Sequence, residues 1–142
     1  FAPNRQNENA PKAKPRKMSN TDELRALSAT YDMHPDHFHK DPRGFVIMTR
    51  RGVEHLQAKI KAEVRFSTVP EWSDTKEGKY CVKAYAKCEI GKVETFGEAS
   101  KSNNRNAYPI AMAEKRALSR AILKLAGFYT SGVFSEHEID EL

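Results

Sequence analysis

The sequence predicts an α+β fold in which a three-stranded antiparallel meander is followed by a long packed helix, a β-β-β-α core behind a disordered basic arm. Three observations carry that expectation. Residues 82–90 alternate strictly: Val82, Ala84, Ala86, Cys88 and Ile90 fall on one side, and Lys83, Tyr85, Lys87 and Glu89 on the other, the period of a half-buried strand. Residues 107–126 carry Ile110, Ala111, Ala117, Leu118, Ala121, Ile122 and Leu125 as an apolar stripe at helical spacing. Residues 1–18 are rich in Pro, Asn, Lys and Arg and almost free of apolar side chains, so they cannot bury enough surface to fold.

The elements follow in order. A short helix starts near Ser19, Asn20 or Thr21 and turns Leu24, Ala26 and Leu27 inward. Residues 32–42 hold two prolines and no periodicity, and read as loop. Residues 44–49 form a short apolar strand, and Thr49 caps a helix over residues 50–60 with Val53, Leu56 and Ile60 on its buried side. Residues 63–69 alternate as a strand that Pro70 stops, and residues 70–79 make a polar turn around Trp72 and Gly78. After the alternating strand, Gly91 allows a tight turn and residues 92–98 return as its hairpin partner. Gly97 in that partner marks a close backbone approach. A polar loop, residues 100–106, leads into the long helix. Pro109 sits in its first turn, where a missing N–H costs nothing, and Gly127 ends it. Ser135 and Glu138 have capping-box spacing for a terminal turn. The domain organisation expected is a basic arm (residues 1–18), one α+β domain (19–134) and an acidic segment (135–142).

The chain has 142 residues, 30% of them charged, and a net charge of +5. The arm holds Arg5, Lys12, Lys14, Arg16 and Lys17 against Glu8. The last eight residues hold Glu136, Glu138, Asp140 and Glu141 and no base. A basic arm on a basic body suits a polyanion better than a membrane, and no apolar run reaches the roughly 18 residues a spanning helix needs. The chain begins at Phe1 without a secretory-type apolar run, and reads as a fragment or a processed form. Cys81 and Cys88 lie on opposite sides of one strand, so they are expected as free thiols of a reducing compartment.

The functional expectation is a binding module without a catalytic centre. Arg116, Arg120 and Lys124 recur every four residues on the long helix with Lys115 beside them, and only Glu114 offsets them. Like charges at that spacing repel by a few tenths of a kcal/mol per pair, a cost that a row of phosphates would reverse. Lys83, Tyr85 and Lys87 offer a second surface, with an aromatic ring on which a base could stack for roughly 1–3 kcal/mol. Lys101 and Arg105 flank a Ser- and Asn-rich loop before a helix N-terminus, a setting that favours anions. No phosphate-binding Gly-x-x-x-x-Gly-Lys-Ser/Thr motif and no paired acid, base and nucleophile pattern is present. His34, His37 and His39 with Asp32, Asp36 and Asp41 invite a metal reading, but they lack a partner cluster elsewhere, so neither metal nor cofactor is expected.

Gly97-Glu98-Ala99 followed by Ala111-Met112-Ala113-Glu114-Lys115-Arg116-Ala117-Leu118-Ser119-Arg120-Ala121 resembles the ERF-type single-strand annealing proteins and their relative, the DNA-damage protein DdrA. The resemblance spans residues 44–128. It implies a β-β-β-α core, assembly into homo-oligomeric rings or filaments, and single-stranded DNA bound along a basic groove lined by Lys115, Arg116 and Arg120. It also implies a recombination or repair role in the cytoplasm of a bacterial cell, nucleoid-associated or phage- or plasmid-encoded. After the helix the chain departs from that pattern, with Ala126-Gly127-Phe128-Tyr129 only a partial echo. Two alternatives use the same residues. One is a module similar to double-stranded RNA-binding domains, which also place a Ser-Lys turn before a basic helix. The other is an interaction protein whose basic helix meets an acidic partner, such as residues 136–141 of a neighbouring copy.

Overall fold

The computed structural model describes residues 20–104 and 107–141, with only the backbone for Asn20 and residues 139–141. The expected arm, residues 1–18, and Arg105 lie outside the described residues. The chain is mixed α+β. The helices are α1 (Asn20–Thr30), α2 (Arg50–Ile60) and α3 (Pro109–Ala126). The strands are β1 (Phe38–Lys40), β2 (Val46–Met48), β3 (Glu63–Thr68), β4 (Tyr80–Cys88), β5 (Gly91–Ala99) and β6 (Val133–Ser135).

The meander forms as the alternation dictates. β3, β4 and β5 pair antiparallel in chain order, with Phe66 opposite Ala84, and Ala84 opposite Thr95. Val82, Ala84 and Ala86 are buried against Ala113, Ala117 and Ala121 of α3. This helix–sheet contact is made of small residues, so the backbones come close. A methyl group placed on Gly97 would overlap the Ala113 carbonyl oxygen and the Ala117 backbone nitrogen, which is why a strand interior tolerates glycine there. Thr95 secures the same contact by donating its hydroxyl to the Ala117 carbonyl at 2.6 Å.

Local capping signals are realised where side chains act on their own backbone. The Thr49 hydroxyl accepts from Gly52 N–H at 3.1 Å, and Val53, Leu56 and Ile60 are buried. Pro109 opens α3, and Gly127 closes it in the left-handed region at φ 87°, a conformation glycine enters without steric cost.

Three expectations are corrected. The segment read as loop, residues 32–42, contains a 3₁₀ turn (Pro35–His37) and the strand β1. β1 pairs antiparallel with β2, which in turn pairs parallel with β6. Strands of three residues carry no readable periodicity, and their partners are distant in sequence. Second, Ile90 sits in the β4–β5 turn and is 57% exposed, whereas Cys81, on the opposite side of β4 from Val82, is buried. Both cysteines are free thiols. Third, Ile110 and Ala111 are exposed at the start of α3, while Leu123, off the expected stripe, is fully buried. α3 has the meander on one side and a cluster of Met48, Val53, Leu56, Ile60, Phe128 and Val133 on the other. It is therefore covered on more than one face. Among the described residues no helix is long and apolar enough to cross a membrane.

Candidate nucleic-acid interface

The basic stripe of α3 does not form one continuous surface. Arg116 is fully buried. Its Nε donates to the His137 carbonyl at 2.9 Å, its Nη1 to the Glu98 carbonyl at 2.7 Å and to Asn103 Oδ1 at 2.9 Å, and its Nη2 to the Asn103 carbonyl. Arg120 donates from Nη1 to the Phe96 carbonyl at 2.7 Å, and from Nε to Glu138 Oε2 at 3.1 Å. Glu138 is itself buried, and its other oxygen accepts from the Ser135 N–H and hydroxyl. The cause lies in the sheet. β5 is an edge strand, and alternate carbonyls of an edge point away from the ladder and need donors. Two arginines one helical turn apart meet two carbonyls two residues apart. The like-charge cost expected along α3 is thus met by backbone dipoles and Glu138, and these two residues do not line an open groove. The acidic segment engages the basic helix within one chain.

The other residues singled out from the sequence scatter. Lys115 and Lys124 are exposed. At about 3.6 residues per turn they fall on opposite sides of α3, and Lys124 Nζ lies 5.5 Å from the centre of the Tyr129 ring. Lys101 is exposed, with its stem beside Gly78. In the loop expected to cradle an anion, Asn103 is engaged by Arg116 and by Ser100 N–H, and the Ser100 and Ser102 hydroxyls bond each other. His37 packs beside His55 with ring centres 4.9 Å apart. Burial, then His55, His34 and Arg51, holds its imidazole below the ordinary value, with Asp36 opposing. Among the described residues no three His, Cys, Asp or Glu side chains are placed to hold a metal ion.

The structure does bring Lys83, Tyr85 and Lys87 onto one surface, the face of the meander turned away from α3. The register sets Arg65 of β3 and Glu94 of β5 on either side of Tyr85, Ser67 and Phe96 on either side of Lys83, and Glu63 and Lys92 on either side of Lys87. A further ring arrives from outside the sheet. The 3₁₀ turn Pro70–Trp72 is tied down by the Ser73 hydroxyl, which donates to the Val69 carbonyl at 2.8 Å and accepts from Cys81 N–H at 3.0 Å. Trp72 then lies edge-on to Phe96, with ring centres 5.0 Å apart, and stays 60% exposed. Phe96 and Tyr85 are diagonal neighbours across β4 and β5. Trp72, Phe96 and Tyr85 therefore run obliquely over a face that also carries Arg65, Lys83, Lys87 and Lys92.

Acids share that face. Lys83 Nζ is 3.8 Å from Glu94 Oε1, an exposed pair worth at most about 1 kcal/mol, and Glu63 and Glu98 are also present. Charge is nearly balanced there, so stacking at roughly 1–3 kcal/mol per base outweighs phosphate neutralisation in what this surface offers. Arg65, Trp72, Phe96 and Lys92 were not singled out from the sequence. The alternation of Glu63, Arg65 and Ser67 was a usable signal, but only the strand register places it beside Tyr85.

Comparison with models of known families, with curated proteins and with solved structures finds no match for this chain.

Proposed function

We propose that this chain binds single-stranded nucleic acid, DNA in the first instance, on the outer face of the β3–β4–β5 sheet. The observation that carries the reading is the aromatic row Trp72, Phe96 and Tyr85 on an open sheet face, interleaved with Arg65, Lys83, Lys87 and Lys92. Trp72 is exposed and Phe96 and Tyr85 are half-buried; aromatic rings on such a face accept any base, and the cations track the backbone between them. The resemblance to ERF-type annealing proteins supports a role in strand annealing during recombination or repair, with a homo-oligomer as the working form. The part of that resemblance that assigned Arg116 and Arg120 to the DNA does not carry over, since both guanidinium groups hold β5.

Trp72 is the sole tryptophan, so its fluorescence reports directly on this face. Titration with an oligothymidylate is expected to quench it saturably. Tyr85→Ala is expected to weaken binding by roughly 5- to 100-fold, the equivalent of one stacked base. With about three or four cations engaged, log K is expected to fall by about 2–3 per decade of salt. Duplex DNA and duplex RNA serve as comparisons. Unchanged affinity in both Tyr85→Ala and the Lys83→Ala, Lys87→Ala double variant would move the binding face elsewhere, and tighter binding of duplex RNA would favour the alternative.

A further inference from the structure

On the other side of the molecule, between the start of α2 and the middle of α3, lies a cleft of about 190 Å³ lined by Arg50, Val53, Glu54, Lys115, Leu118, Ser119 and His137. From these groups we infer a binding site for a single tetrahedral oxyanion, a phosphate or phosphate monoester, held by Lys115, Arg50, His137 and the Ser119 hydroxyl.

Four observations support it. Ser119 is 2% exposed, and its hydroxyl makes no hydrogen bond to another described group. Yet no side-chain oxygen or nitrogen among the described residues is sealed in without a partner, so this hydroxyl opens onto the cleft. Buried hydroxyls ordinarily find a partner in the fold, and a ligand oxygen would supply one here. Second, Lys115 is exposed and makes no ion pair with a described residue. Third, among the described residues the Arg50 side chain pairs only with Glu54, at 3.0 Å and with both side chains largely exposed, a contact worth little and readily exchanged for a dianion. Fourth, three cations, Lys115, Arg50 and Arg116, act on His137. Burial holds its imidazole below the ordinary value, Glu136 opposes this, and Lys115, Arg50 and Arg116 add to it. The α2 N-terminus itself is already capped, since Arg50 N–H donates to Glu136 Oε1 at 2.7 Å and Gly52 N–H to Thr49. The anion is thus held by side chains. The space suits one such group: it far exceeds the roughly 10–15 Å³ that a single water needs, and so admits a phosphate with its first waters.

The test follows the His137 imidazole resonance of the full chain by NMR while inorganic phosphate is added at constant ionic strength set with chloride. A saturable shift and a raised His137 titration midpoint are expected, because a bound anion offsets the surrounding cations. Lys115→Ala is expected to weaken this response about tenfold and Ser119→Ala about threefold, while Tyr85→Ala leaves it unchanged and so separates this site from the sheet face. Thymidine oligomers with and without a 5′-phosphate identify the source. Saturation by the phosphorylated oligomer at lower concentration than by inorganic phosphate assigns the site to a strand end. Saturation by inorganic phosphate alone assigns it to a free oxyanion. A linear drift, equal in the wild type and in Lys115→Ala for every probe, would overturn the site.

Discussion

Replacing Arg116 by methionine isolates what the buried guanidinium does, because methionine keeps much of the apolar stem and removes every donor. At least four hydrogen bonds to described residues disappear, to the carbonyls of His137, Glu98 and Asn103 and to Asn103 Oδ1. An acceptor left buried without a donor costs about 1–3 kcal/mol, but the loop at Asn103 is half-buried and water can reach part of it. The expected loss is therefore about 3–5 kcal/mol, the range for breaking a buried charged network. A domain of this kind has a total stability of roughly 5–15 kcal/mol, so a large fraction would go. At roughly 4 °C per kcal/mol for this chain length, Tm falls by about 12–20 °C. Urea unfolding followed by circular dichroism measures it, and Lys124→Ala, on an exposed lysine, is the control expected to stay within about 0.5 kcal/mol. Arg116→Lys is expected to recover little, since one ammonium cannot span three carbonyls in different directions. A loss below about 1 kcal/mol in Arg116→Met would refute the clamp and return this residue to the pool of nucleic-acid contacts.

Gly97→Ala is expected to cost at least about 2 kcal/mol in the same unfolding assay, because its methyl group meets helix backbone and not a movable side chain. The pH response follows from two histidines whose folded-state imidazoles lie below the ordinary 6.5, His37 chiefly through burial and His137 likewise. For a base depressed on folding, the unfolded chain binds the proton more readily. The stabilising contribution is thus complete above pH 6.5 and is lost as the pH falls through 6.5 toward the folded midpoints. Urea midpoints at pH 7.5 and 5.5 should show this fall, and the His37→Gln, His137→Gln double variant should flatten it.

Much of the fold was legible because its causes are local. The alternation of β4, the Thr49 cap and the Gly127 stop each depend on a few neighbouring residues. The candidate site was legible only in part, and the reason is geometric. Helical spacing shows that Arg116 and Arg120 share a side of α3, but not that the carbonyls of an edge strand stand opposite that side. Tyr85 and its lysines could be read from one strand, whereas Arg65, Phe96 and Lys92 join them only through register, and Trp72 only through a folded-back turn. β1 and β6 escaped because three-residue strands exist through their partners and not through their own pattern.

The parallel pairing of Val46 with Val133 has a consequence for how the chain is made. The meander and α3 are contiguous in sequence and can close over short loops soon after synthesis. β2 emerges before them, yet its parallel neighbour is almost the last segment of the described chain to appear. Closing so long a loop carries an entropic cost that only the finished meander–helix unit can offset. Ile47 and Met48, both fully buried in the folded chain, therefore meet their parallel partner only after the long helix has been made.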